Sequence, residues 1–248
     1  MMTAYTLTTF TQRPDARDRI DGLSDQSWPP FLLHGNITRW HLLFEIFAPY
    51  QLLLWDDSDG LMAVGHSVPL VWDGSAADLP ATIEEILIRA EQTAARRRTP
   101  NAVSAVAAMV HPEHRGKGLS RALVQEMKAA ARKGGCPVLI APVRPTWKSR
   151  YPLIPMDRYV EWKRSDGAAF DPWIRVHQRM GAQSLGIAPN TLTVEGTLQE
   201  WEAWTGMAFP ENGRYVVPGA LQPMEADAGR NVGRYEDPNY WMKHDVEP

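Results

Sequence analysis

Arg115, Gly116, Lys117, Gly118 and Ser120 fall within one short stretch, directly after the apolar run Ala102–Val110 and directly before a helix-forming pattern. Glycine lets the backbone come close to a ligand, and the N–H groups of such a turn converge with the unpaired N–H groups of the helix's first turn. A nest of that kind, at the positive end of a helix, holds phosphate or pyrophosphate. A Walker-type loop does not fit, because its glycines stand further apart and are followed by Lys and then Ser or Thr. A dinucleotide fingerprint needs three glycines, and only Gly116 and Gly118 are present. Arg115, Lys117 and Pro112 raise the phosphate reading above that of a bare strand-to-helix connection.

Other residues with chemical potential are weaker candidates. His111 and His114 are three apart but have no third ligand in the pattern, so no metal is expected. Cys136 is the only cysteine, which excludes an internal disulfide and a cysteine-based zinc site; at a buried strand edge it reads as packing. The chain has 26 Lys plus Arg against 29 Asp plus Glu, net −3, and this balance offers no basic face for nucleic acid or a membrane surface. No signal-like leader opens the sequence, and the greasiest stretch, residues 41–55, is broken by Glu45, Pro49 and Gln51, so a cytoplasmic protein is expected.

The elements that must position the glycine turn are legible from periodicity. Residues 3–12 alternate as a strand, residues 15–23 suit a short helix, and residues 36–47 read as an amphipathic helix with Ile37, Trp40, Leu43 and Ile46 on one face. Two strands, residues 51–55 and 61–71, are joined by the turn cluster Asp56 to Gly60. Thr82 and Glu85 match a capping box opening a helix to Arg97, whose stripe is Ile83, Ile86, Leu87, Ala90 and Ala94. The run 102–110 is a strand buried on both faces. A helix follows to Lys133 with Leu119, Leu123, Met127 and Ala130 inward, closed by Gly134 and Gly135, and residues 137–143 form a second buried strand. Residues 171–180 are a helix, residues 183–196 a hairpin turning near Pro189 and Asn190, and Thr197 with Glu200 caps a short helix carrying Trp201 and Trp204.

The stretch Val110 to Val124 resembles motif A of the GNAT superfamily of N-acyltransferases, and the order of elements over residues 3–196 is similar to that of the family. The resemblance implies an α/β fold with a central mixed, mostly antiparallel twisted sheet flanked by helices over residues 1–196; residues 197–248 hold too many aromatics to be simply disordered and read as a C-terminal extension packed on that core. It implies acetyl-CoA or another acyl-CoA as co-substrate, with Arg115, Gly116, Lys117, Gly118, Leu119 and Ser120 around the pyrophosphate. Ser120 departs from the family's Gly or Ala. Backbone groups near Met109 and Val110 would pair with the pantetheine arm. Relatives draw the leaving-group proton from a Tyr four residues before a helix-ending Gly; His177 occupies that position before Gly181, as an acid or as a histidine without a role. No Glu stands on the 102–110 strand to serve as base.

The connection 142–170 is longer than such a domain usually has, and long ordered loops tend to be functional. Its Arg144, Trp147, Lys148, Arg150 and Tyr151 suit an acceptor or acyl chain bearing a carboxylate or an aromatic ring; individually they also suit an exposed loop. The expectation is an N-acyltransferase acting on a small-molecule amine by direct attack on the thioester. A silent CoA-binding module, and a GNAT-like domain working on thioester carriers by S-acyl transfer or decarboxylation, stay open, as does a homodimer.

Overall fold

The computed structural model describes residues 4–246; Thr3, the first residue of the expected leading strand, lies outside them. In chain order the elements are β1 (Thr6–Thr9), α1 (Arg17–Ser27), β2 (Gln51–Trp55), β3 (Leu61–Leu70), α2 (Ile83–Ala95), β4 (Ala102–Val110), α3 (Leu119–Lys133), β5 (Val138–Val143), α4 (Met156–Val160), α5 (Pro172–Arg179), β6 (Gln183–Gly196), α6 (Leu198–Thr205), β7 (Gly213–Tyr215), β8 (Met224–Asp227) and β9 (Val232–Asp245). The nine strands form one mixed sheet, antiparallel at every pairing except β4 with β5.

The expected α/β architecture is present, and its two faces follow from strand alternation. One face of β1–β4 is covered by α1, through Ile20 and Leu23 against Leu53, Val64 and Met109, and by α2, through Ile86, Leu87 and Ala90 against Val68 and Leu70. The other is covered by α3, whose Leu119, Leu123, Val124 and Met127 meet Leu52, Leu54, Met62, Val103 and Leu139. Both predicted caps form. Thr82 accepts from the Glu85 N–H, and Thr197 and Glu200 make the full reciprocal box.

Three expectations are corrected. Residues 36–47 are not an amphipathic helix but a chain of turns holding a short 3-10 helix, Trp40–Leu43. The N–H groups of Thr38 and Arg39 go to the Glu84 carboxylate on α2 instead of entering a helix. Residues 183–196 are one long strand and not a hairpin. The ladder runs from Ala188↔Asn239 to Leu192↔Asp237, so three residues of β6 face the single Pro238. Pro189 and Pro238 both lack a donor, and the chain bulges there where a turn signal was read.

The third correction concerns residues 197–248. β9 is no appendage: it pairs with β6 over nearly its whole length on one edge, and with β5 and then β8 on the other. The division at residue 196 therefore cuts through the sheet. What is added to the core is residues 197–231, where Trp201, Met224 and Ala226 pack with Phe31 and Tyr235 in a cluster of their own.

Candidate active site

The parallel pair β4–β5 is short. Its last partners are Ser104 and Ile140, after which the strands separate. Near the point of separation β4 carries an extra residue: Ser67 pairs with Ala105 and His66 with Ala107, leaving Val106 as a bulge. Ala105, Val106, Ala107 and Ala108 are only half-buried, although they lie in the middle of a nine-stranded sheet. Small side chains and an unpaired strand edge leave a slot whose wall is backbone. Met109 turns its side chain to the α1 face, where its sulfur receives the Trp28 indole N–H at 3.2 Å, so its contribution to the slot is main-chain only.

At the end of β4 the glycine turn leads into α3. Gly116 and Gly118 have φ of 78° and 86°, the left-handed region, and Gly118 is the residue before the helix. No side chain caps α3, so the first N–H groups of a fifteen-residue helix stand open beside the turn. Arg115 and Lys117 are exposed around it, with Arg115 Nε 3.4 Å from the Val110 carbonyl and Lys117 Nζ 3.4 Å from His114 Nδ1. Ser120 is half-buried in the first turn of the helix. Open donors, two nearby cations and an adjoining backbone-lined slot fit a pyrophosphate followed by an extended arm. Among the described residues no group of three or more His, Cys, Asp or Glu is placed to hold a metal ion.

His177 does not have the environment of an acid. It is buried on α5, under Trp173, and its Nδ1 lies 2.8 Å from Nε2 of His244 on β9. Burial first, and the neighbouring His244 second, hold its pKa well below the ordinary histidine value, so the ring is neutral at pH 7. His244 pairs with Leu139, at the start of β5, whereas the strands part beyond Ile140. The position that the resemblance marks for a proton donor is here part of a buried imidazole pair. Cys136 is likewise buried, and burial raises its thiol pKa.

The residues of the 142–170 connection divide in two. Arg144 and Lys148 have their charged heads occupied within the protein. Arg144 forms an ion pair with buried Asp237 at 2.9 Å and donates to the Gly219 carbonyl; Lys148, 1 % exposed, donates to the carbonyls of Tyr151 and Leu221. Tyr235 also gives its hydroxyl proton to Asp237, at 2.6 Å. These contacts tie the connection to residues 217–222 and engage both heads with protein partners. Removing Asp237 strands a partly buried guanidinium. Asp237→Ala should therefore cost about 3 kcal/mol, roughly 10 °C in Tm, in a thermal melt, with Asp237→Asn milder because it keeps an acceptor oxygen.

The other members stay half-open. Tyr151, Trp162 and Phe170 are half-buried and pack edge-on with one another around buried Tyr159, and Arg150 lies over the Trp147 ring at 5.0 Å. Asp171 anchors the group, accepting from the Trp147 N–H, the Tyr159 hydroxyl and the first N–H groups of α5.

One polar residue beside the slot carried no motif. His66 sits on β3, fully buried, opposite Ala107 and next to the bulge. Its signal in the sequence is a lone titratable side chain within an otherwise apolar strand.

Residues 87–150 match the Acetyltransferase (GNAT) family. The chain is 30% identical over 275 residues to the arginine N-acetyltransferase avaD of Aspergillus versicolor, covering 98% of this chain and 94% of that one. Among solved structures it is similar to the loading GNATL domain of CurA from Lyngbya majuscula, with TM-score 0.65, 16% identity and 98% of each chain covered. It is also similar to the GphF GNAT-like decarboxylase in complex with isobutyryl-CoA, with TM-score 0.60, 16% identity and coverage of 99% and 100%. With whole-length identity to a curated member of the family, and a glycine turn at the mouth of a split sheet where that family's motif falls, the chain belongs to the GNAT acetyltransferase family and is an acyl-CoA-dependent N-acyltransferase.

Proposed function

We propose that the protein transfers an acetyl group from acetyl-CoA to the amine of arginine or of a small molecule closely like it. The observation that carries this reading is the end-to-end similarity to an arginine N-acetyltransferase, 30% identical with 98% of the chain aligned. The 142–170 connection supports it. The half-exposed rings of Tyr151, Trp162 and Phe170 offer aromatic surface on which a guanidinium stacks favourably.

Bound in the slot, the co-substrate supplies a thioester carbonyl activated toward amines. The protein's share is binding and alignment. The open N–H groups at the start of α3, with Arg115 and Lys117, take the pyrophosphate, and the free edge of β4 near Met109 and Val110 takes the arm by main-chain hydrogen bonds. The amine then attacks directly, without a covalent enzyme intermediate. Thiol release from acetyl-CoA should accelerate on adding arginine and less on adding amines that lack the guanidinium. Thiol release with no amine able to accelerate it, or loss of carbon dioxide from malonyl-CoA in its place, would refute the reading.

A further inference from the structure

His66 has a tautomer fixed by its neighbours. Gln51, across the β2–β3 ladder from it, is fully buried, and its side-chain Nε2 donates to two main-chain carbonyls, Phe47 at 2.6 Å and Ser67 at 3.0 Å. With its amide nitrogen so committed, Gln51 presents only its oxygen to the ring, and that oxygen lies 2.9 Å from His66 Nδ1. An amide oxygen cannot donate, so the proton of the neutral ring is on Nδ1. Nε2 is left with its lone pair, buried and without a partner among the described residues. A buried acceptor with nothing to accept costs about 1–3 kcal/mol, and such atoms call for an explanation.

The surroundings supply one. His66 faces Ala107 on β4, one residue from the Val106 bulge and beside the place where β4 leaves β5. The rings of Trp40 and Phe44, both half-buried, meet it edge-on at 5.4 and 5.6 Å between centroids. Among the described residues the charged group that acts on it is Arg17 of α1, which lies over the Phe44 ring. Burial, and secondarily Arg17, push its pKa down to about 3, so the resting ring is neutral.

We propose that His66 Nε2 is the proton carrier of the acyl transfer, taking the amine's proton, through at most one water, and returning it to the departing sulfur. This rests on the N-acetyltransfer reading above. In the step, a neutral amine forms a nitrogen–carbon bond to the thioester carbonyl, and the nitrogen becomes cationic and far more acidic than a free ammonium. Nε2 accepts that proton. The carbon–sulfur bond then breaks with its electron pair on sulfur, and the same proton passes from Nε2 to the thiolate. Amine and thioester become amide and thiol, and the ring ends as it began. One group thus fills the base position that β4 lacks and the acid position that His177 does not fill.

The test compares wild type with His66→Asn at saturating acetyl-CoA and arginine. Asparagine keeps an N–H near the Nδ1 position, preserving the bond to Gln51, but has no lone pair where Nε2 stood. Thiol release should slow by about 100-fold or more, while the rise in Tm on adding CoA stays unchanged. A rate within about threefold of wild type would overturn the proposal and leave the N-acetyltransfer reading standing. A wild type that shows no amine-dependent thiol release overturns both. Should the variant fail to fold, the wild type decides. In histidine-labelled protein the His66 Nε2 nitrogen resonance should be that of an unprotonated nitrogen, and should move when arginine is added to the CoA complex. A protonated Nε2, or one that arginine leaves unmoved, overturns the proposal.

Discussion

Gly118→Val should abolish the thermal stabilisation that CoA gives the wild-type protein. Gly118 has φ of 86° and immediately precedes α3, so a β-branched residue there is strained wherever its side chain points. The chain can relieve that strain only by rotating the peptide groups at the helix start, and those N–H groups are the ones aimed at the phosphate site. A ligand at a hundred times its Kd stabilises by about 2.7 kcal/mol, so a hundredfold loss in affinity removes nearly the whole shift. The measurement is a pair of melts, with and without CoA. The unliganded Tm should fall by only a few degrees, since the turn is exposed. An undiminished CoA shift would show that the glycine turn does not hold the cofactor.

The second large effect is on acid stability, and it begins near neutrality. His66 is buried and neutral with a pKa of about 3, and the His177–His244 pair is held below the ordinary value by burial, with His244 and Lys128 respectively adding to it. In the unfolded chain each titrates near 6.5. Below that pH the unfolded state binds protons the folded state refuses, so stability falls as pH falls. Above it the contribution is fully present. Each ring that refuses a proton bound by the unfolded chain contributes a loss of up to about 1.4 kcal/mol per pH unit below 6. Chemical denaturation midpoints from pH 8 to 5 should therefore be flat above 7 and drop steeply below 6. A flat profile to pH 5 would mean that these rings are already solvated or charged. Carboxylate titration alone would delay the drop to more acidic pH.

How much of this was legible depended on whether a feature was local. The glycine turn, the caps at Thr82 and Thr197, and the strands Ala102–Val110 and Val138–Val143 are encoded by neighbouring residues, whereas the half-burial of Ala105 to Ala108, expected to be fully buried, follows from the parting of β4 and β5. The long strand Val232–Asp245 was missed because its partners are distant: its alternation is interrupted at Pro238, and only β5 and β6 on either side make it a strand. The same distance hid the fate of Arg144 and Lys148. Their partners, Asp237 and the Leu221 carbonyl, lie 93 and 73 residues away, and without them both side chains read as open basic groups. His177 could be assigned a position but not an environment, because its neighbour His244 comes from the far end of the chain. His66 has no motif around it in the sequence, and its unpaired nitrogen depends on how Gln51 is held.

The placement of β9 also sets an order of events during synthesis. β5 is one wall of the slot, and among the described residues β9 is its only strand partner beyond Ile140. A nascent chain that has emerged as far as residue 231 holds the whole glycine turn and α3, yet its β5 has a bare edge. Contacts this far apart in sequence close late and slowly. Until β9 arrives, that edge is exposed to pairing with other chains. The β5 wall of the slot is therefore completed only once β9 has been made.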